Sequence, residues 1–461
     1  MVFSSLHFLY IFLPVVMLAH RFAPRRLRNG VLLVSSIWFY AWGEPVYVGL
    51  MLFSVAWNYL TGLQLGAAAR PSRRRAVLAG AVAVNLAVLG FFKYYGFLVQ
   101  TLNGALGLRL PDYQLPLPIG ISFYTFQALS YVIDVYRGTT KPQGSLVDFA
   151  TYITMFPQLV AGPIVKYTDI ETQLHKRGAT LAQVGQGLER VILGLSKKVL
   201  LANNLGLLAD AMRASPKLSV LSAWLGAAAY ALQIYFDFSG YSDMAIGMGR
   251  MLGFTFAENF DYPYRARSVT EFWRCWHISL SSWFRDYVYI PLGGNRVGAG
   301  RHMLNLLVVW LLTGLWHGAS WNFVLWGLYY ALLLILEKYL TGGALSKLPA
   351  GAARAITLLL VTVGWVIFSN TDFAAMGRYL GCLVGIGSQG FADRAFMYAL
   401  RSNALLLAFA ALCCGPGLRQ WQLKLTGRLP LLAVVLFAAL LIACTAYLVH
   451  GSYNPFLYFR F

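Results

Sequence analysis

Long apolar runs separated by short arginine clusters set the pattern of this chain. The first run, about Leu6 to Leu18, is followed by Arg21, Arg25, Arg26 and Arg28. Two more, Val31–Trp42 and Val46–Leu65, read as a hairpin turned at Gly43-Glu44-Pro45 that returns to Arg70, Arg73, Arg74 and Arg75. Arginine-rich loops stay on the cytoplasmic side, so the N-terminus is expected outside. A fourth run, Ala76 to about Phe97, leads out to a loop near Asn103–Asp112. Pro116 to Tyr136 comes back in carrying Gly120, Ser122, Tyr124, Gln127, Ser130 and Asp134, too polar for a lipid-facing helix. Phe149 to Ile164 is short and holds Pro157, Gly162 and Pro163, which fits a re-entrant or interfacial segment. Asp169 to Lys198 interleaves charges with apolar residues and predicts an amphipathic helix on the cytoplasmic surface. Further runs follow at Val199–Leu208, Leu221–Phe236, Trp321–Leu336, Ala355–Phe368, Ala404–Leu412 and Leu431–Val449. The pattern predicts an all-α polytopic membrane protein with about eleven to thirteen membrane-embedded helices. The tail from His450 to Phe461 is expected outside, and residues 1–461 form one integral-membrane domain.

Composition agrees. Hydrophobic residues make up 58% and charged residues 12%, with mean hydropathy +0.60, far from soluble usage. The net charge of +20 is gathered between apolar runs, where it suits anionic headgroups; nucleic acid is not an expected partner. Five cysteines, Cys275, Cys382, Cys413, Cys414 and Cys444, show neither metal spacing nor a disulfide framework. The first apolar run has no basic residues before it, so it reads as a membrane helix and not a removable signal. No Gly-rich phosphate loop, nucleophile elbow or Cys/His metal cluster is present, which disfavours an ATPase, a serine hydrolase and a zinc enzyme.

The densest chemistry lies in Glu271 to Tyr330. Its first half carries Arg274, His277, Arg285, Asp286, Arg296 and Arg301; its second half is nearly all apolar yet holds His317 within Leu315-Trp316-His317-Gly318. About fourteen apolar residues precede that histidine, which at 1.5 Å each places it roughly 20 Å along a helix. An imidazole at that depth is either a satisfied core group or a functional one facing a polar cavity. Gly314 and Gly318, with Trp316 and Trp321, favour a broken helix lining a cavity, either a bent crossing or a hairpin dipping in. A second polar run, Tyr235 to Gly247, places Asp237, Ser239, Tyr241 and Asp243 in apolar surroundings. They serve either as internal hydrogen-bonding groups or as the wall of a substrate channel, with Gly240 a possible break. Buried ionisable groups also mark ion pathways, so a polysaccharide or lipid transporter without covalent chemistry is an alternative.

Several of these motifs carry a resemblance. Trp273-Arg274-Cys275-Trp276-His277-Ile278-Ser279-Leu280-Ser281, Trp283-Phe284-Arg285-Asp286-Tyr287 and Tyr289-Ile290-Pro291-Leu292-Gly293-Gly294-Asn295-Arg296 resemble the membrane-bound O-acyltransferase family, in its alginate O-acetyltransferase branch. Leu315-Trp316-His317-Gly318 is similar to that family's characteristic histidine motif. Tyr235 to Gly247, Phe156 to Ile164 and Pro118 to Phe123 fit too, and Cys275 stands where relatives often carry a basic residue.

The resemblance implies a ring of tilted helices around a thin centre, with the histidine where inner and outer openings meet. It implies acetyl-CoA as donor, with no bound cofactor, His317 as general base and His277 as a second, assisting residue. A surface-loop histidine paired with Asp286 is the other account of His277. Arg274, Arg285 and Arg296 fit donor phosphates or anionic lipid equally. The terminal Tyr453-Asn454-Pro455-Phe456-Leu457-Tyr458-Phe459-Arg460-Phe461 resembles a tail of this branch, making Tyr458 a candidate acetyl carrier or else an aromatic interfacial anchor. The function implied is O-acetylation of a secreted or cell-wall polysaccharide at the bacterial inner membrane. The expected partners are a periplasmic acetyltransferase and a polysaccharide biosynthesis complex. A long-chain lipid or protein acyltransferase is the remaining alternative.

Overall fold

The computed structural model describes residues 2–451 and 457, apart from 114, 161, 216 and 342–346. Among the described residues regular structure is helical, save an isolated antiparallel bridge between Phe260 and Trp276. Six helices there are long and apolar enough to cross a membrane, or seven if the bent pair Arg394–Ser402 and Ala404–Cys413 counts as one span. This makes the chain a multi-pass membrane protein, with fewer full-length spans than the about eleven to thirteen embedded helices expected. The other apolar runs form shorter helices, including the nine-residue Leu146–Thr154, which at 1.5 Å per residue covers only about half of a hydrocarbon core.

Contacts divide the chain into two compact units, Met1–Val191 with Ser242–Ala257, and Ile192–Tyr241 with Glu258–Phe461. The first unit is built on α1 (Phe8–Phe22), α2 (Arg28–Gly43), α3 (Val48–Ala67), α4 (Pro71–Leu106), α5 (Ile121–Arg137) and α6 (Leu146–Thr154). Helices α3 and α4 are clasped by a buried amide pair: Asn58 Nδ2 donates to Asn85 Oδ1 at 3.1 Å and Asn85 Nδ2 returns a bond to Asn58 Oδ1 at 2.8 Å. In an apolar setting this mutual satisfaction is what makes two amides tolerable. The polar residues of α5 are buried against protein as the sequence predicts, and Arg74 donates to the carbonyls of Val135 and Tyr136 at its C-terminal end. The chain breaks at Met155 between α6 and the short helix Phe156–Leu159, in line with an incomplete span.

Two expectations are corrected. The charged stretch Asp169–Lys198 is not one surface helix: Tyr167–His175 is a separate, partly exposed helix and the first turns of Leu181–Arg213 are largely exposed, but that 33-residue helix, α7, turns interior from Val191 on. Nor does Gly240 break its helix, because α8 runs from Val220 to Met251. The cause is pairing between residues distant in sequence. In the first unit Arg190 Nη2 lies 2.8 Å from Asp243 Oδ1; in the second, Lys198 Nζ lies 2.5 Å from Asp237 Oδ1. Glycine permits the approach: a Cβ on Gly240 would sit 2.7 Å from the Gly194 carbonyl oxygen.

In the second unit α9 (Val269–Cys275) and α10 (Ile278–Phe284) precede a helical hairpin, α11 (Ala299–His317) and α12 (Trp321–Leu340). The hairpin is antiparallel, since Gly314 meets Phe323, Gly327 meets Trp310 and His302 meets Tyr339. Helix α13 (Ala350–Ser369) packs on α12. Trp273, Trp276, Trp310, Trp326, Tyr330 and Trp365 form one aromatic core, and α14 (Pro430–His450) is the last long helix. A Cβ on Gly327 would lie 2.4 Å from the Trp310 carbonyl oxygen, whereas one on Gly351 has nothing within 4 Å. Gly327→Val is therefore expected to cost about 1–3 kcal/mol by overpacking, seen as a lowered detergent melting temperature, while Gly351→Ala leaves the melt unchanged.

Candidate active site

His317 is the last residue of α11, and the chain turns extended at Gly318 before α12 begins at Trp321. The sequence left a bent crossing and a hairpin open; the structure is the hairpin, with His317 at its tip. A Cβ on Gly318 would lie 2.1 Å from the Phe323 ring, so the tip is closed by side-chain packing. The imidazole is 7% exposed. Its ring centroid lies 5.1 Å from Trp316, 5.0 Å from Trp326 and 5.3 Å from Phe368, each nearly edge-on. Trp321, named in the sequence beside His317, is half exposed; Trp326 and Phe368 come from later turns of chain and nothing near His317 announces them.

His277 sits between α9 and α10 and is 1% exposed. The surface-loop account, with Asp286 as partner, is therefore wrong: the Asp286 carboxylate accepts from Arg285 at 2.7 Å. Its partner is Asn259. His277 Nδ1 lies 3.1 Å from Asn259 Oδ1, an oxygen that also accepts the Ser279 backbone N–H at 3.2 Å and its hydroxyl at 2.8 Å. Because that amide oxygen can only accept, Nδ1 carries the proton and Nε2 is the basic nitrogen. The main chain holds the same register, with Ile278 N–H donating to the Asn259 carbonyl and Asp261 N–H to that of Cys275, both at 3.0 Å. His277 itself has φ 44° and ψ 54°, a left-handed conformation that costs a non-glycine residue about 1–3 kcal/mol and gathers at functional sites. Lying outside the spanning helices, its imidazole is pushed by burial down to about 3, so it is neutral at physiological pH.

The two histidines contact the same indole. His277 packs against Trp316 at 5.7 Å and against Phe238 at 4.7 Å, and Trp316 precedes His317 in the chain. Two buried imidazoles thus border one buried tryptophan, an arrangement suited to moving a proton where water is scarce.

The remaining candidates divide. Asp237, Ser239 and Tyr241 are buried. Asp243, six residues beyond Asp237 on an unbroken helix, faces another way and pairs with Arg190. Arg274, Arg285 and Arg296 are exposed. Tyr458 lies outside the described residues; its neighbour Leu457 is buried, and its backbone N–H donates to Asp237 Oδ2 at 2.9 Å. Asn259 and Lys198 are the polar groups the sequence did not single out as site residues. Asn259 sits 18 residues from His277, a separation without helical or strand periodicity that could have flagged it.

Comparison with known proteins places this geometry in company. Residues 143–368 match the model of MBOAT, the membrane-bound O-acyltransferase family. A probable alginate O-acetylase of Pseudomonas putida is 41% identical over the whole of both chains. A peptidoglycan O-acetyltransferase of Helicobacter pylori is 32% identical over 84% of this chain and 80% of its own. A teichoic acid D-alanyltransferase of Bacillus subtilis is 26% identical over 71% of this chain and 86% of its own.

Asn259→Leu removes the acceptor that orients His277. Misplacement of a reacting group by an ångström costs about a hundredfold, so acyl transfer by this variant is expected to fall by that order. His277→Asn, which suits a left-handed position, tests the imidazole with the backbone intact: transfer falls as far or further while the melt is preserved.

Proposed function

The chain belongs to the membrane-bound O-acyltransferase family, and from that premise we propose that it passes acetyl groups from cytoplasmic acetyl-CoA across a bacterial inner membrane for O-acetylation of a secreted or cell-wall polysaccharide. An alginate-type exopolysaccharide is the leading acceptor, supported by the name of a relative that aligns over its full length; the peptidoglycan-acting relative supports the wider class. The observation that carries the chemistry is the pair of buried imidazoles, His277 and His317, both in contact with Trp316.

In the proposed step His317 takes the proton from an acceptor hydroxyl as the oxygen attacks the thioester carbonyl. A C–O bond forms, the C–S bond breaks, and the thiol leaves with the proton returned by the imidazolium. His277, its Nδ1 proton committed to Asn259, offers Nε2 as the second polar contact. The exposed Arg274, Arg285 and Arg296 supply cationic charge for the donor's phosphates, and Asp237, Ser239, Tyr241 and Trp316 line the route. Tyr458 is the proposed first acceptor, handing the acetyl ester to a periplasmic transferase within the polysaccharide biosynthesis complex.

Membranes supplied with isotope-labelled acetyl-CoA test this. His317→Ala is expected to lose about 10²–10⁴-fold in labelled protein and labelled glycan, and Tyr458→Phe to lose both labels. Full glycan acetylation by Tyr458→Phe removes the carrier step, and unchanged labelling in His317→Ala overturns the acyl-transfer chemistry. Palmitoyl-CoA is expected not to compete for the donor site.

A further inference from the structure

One buried ion pair in the second unit, on the wall of the proposed route, takes no part in the proton transfer itself. Lys198 and Asp237 have side chains each 3% exposed, with Nζ 2.5 Å from Oδ1. Two opposite charges out of water are retained only when the remaining lone pairs and protons are also satisfied. Asp237 has a second oxygen, and Oδ2 accepts the backbone N–H of Leu457 at 2.9 Å, a bond across 220 residues of chain. Leu457 is buried in the same cluster as Phe236, Trp326 and Phe368, and the last two pack on His317. One residue past Asp237 on α8, the Phe238 ring stands against His277. The helix that carries the carboxylate is itself fixed. At Gly240 it touches the backbone of α7 near Gly194 and Lys197, and Lys198 lies in the π-helical turn Lys197–Ala202, a local widening common at functional sites.

From this geometry we propose that the Lys198–Asp237 pair is the seat for the C-terminal tail, and so a positioning element for the residue that follows Leu457. The proposal rests on the reading of Tyr458 as acetyl acceptor. Consecutive Cα atoms are about 3.8 Å apart, so fixing the Leu457 backbone fixes where Tyr458 begins. The seat grips main chain, and its hold does not depend on the side chain at 457. A charged acceptor strengthens such a bond relative to a neutral one, and Lys198 keeps that charge oriented. A seat that grips main chain is also one that a carrier segment can leave and re-enter.

The test uses full-length protein in membranes carrying Leu457→Cys, with maleimide labelling located by peptide mass spectrometry. In the otherwise native chain position 457 is expected to label slowly. In the K198M/D237L background, where apolar groups of similar volume replace the pair and no acceptor is left, it is expected to label at least about tenfold faster, the loss of one charge-assisted bond. In K198M/D237N, which keeps an acceptor oxygen, protection is expected to survive within about threefold. Cys444, fully buried in the same unit, reports the fold and should stay unlabelled throughout. Unchanged protection in K198M/D237L overturns the seat, and so does exposure of Cys444 together with 457, which would make the pair a support of the unit and not of the tail. The two readings fail separately: a Tyr458→Phe protein that still acetylates glycan ends the carrier step without altering protection at 457.

Discussion

An imidazole can be kept out of water only if it is neutral and its N–H has somewhere to go, and the candidate site is organised by that requirement. For His277 the answer is Asn259, whose amide oxygen gathers the imidazole, the Ser279 hydroxyl and a backbone N–H. The cost of the left-handed backbone at His277 is met by the short antiparallel bonding of Asn259 and Asp261 against Cys275 and Ile278. His317 is placed by close packing: it ends a helix whose partner is close enough to leave no room for a Cβ at Gly314, Gly318 or Gly327. Indole and phenyl edges then fix its ring.

The same accounting governs charge elsewhere. Arg190 with Asp243, and Lys198 with Asp237, let two long helices carry ionised groups inward. Each pair sits where glycines bring the helix backbones together, Gly187 against Gly247 and Gly194 against Gly240. Burial of one partner without the other would leave an uncompensated charge, which is why the pairs and the glycines belong to one arrangement. In the second unit that arrangement also receives the backbone of Leu457.

Much of this was legible in the chain. The apolar runs foretold the helices, Gly43-Glu44-Pro45 the first turn, and the polar face of Ile121–Arg137 its burial within protein. His277 and His317 stood out because each interrupts a run that has no other reason to hold a histidine. What periodicity could not reveal was pairing at long range. Asp169 to Lys198 has the composition of a surface helix, and only the carboxylates of Asp237 and Asp243 explain why its second half is interior. Gly240 looked like a break because glycine ends helices as often as it lets them touch. Asn259, Trp326 and Phe368 carry no local pattern at all; the fold alone makes them neighbours of the histidines.

The central claim is that a thioester meets an acceptor hydroxyl between these two imidazoles. The most direct measurement is a cryo-EM structure of the full chain in lipid nanodiscs with a non-reactive thioether analogue of acetyl-CoA. The account predicts the analogue's carbonyl carbon within about 4 Å of the His317 ring, a near-attack separation, with its phosphates towards Arg274, Arg285 or Arg296. An analogue bound elsewhere, with His317 still enclosed by Trp316, Trp326 and Phe368 and no passage reaching it, would contradict the account.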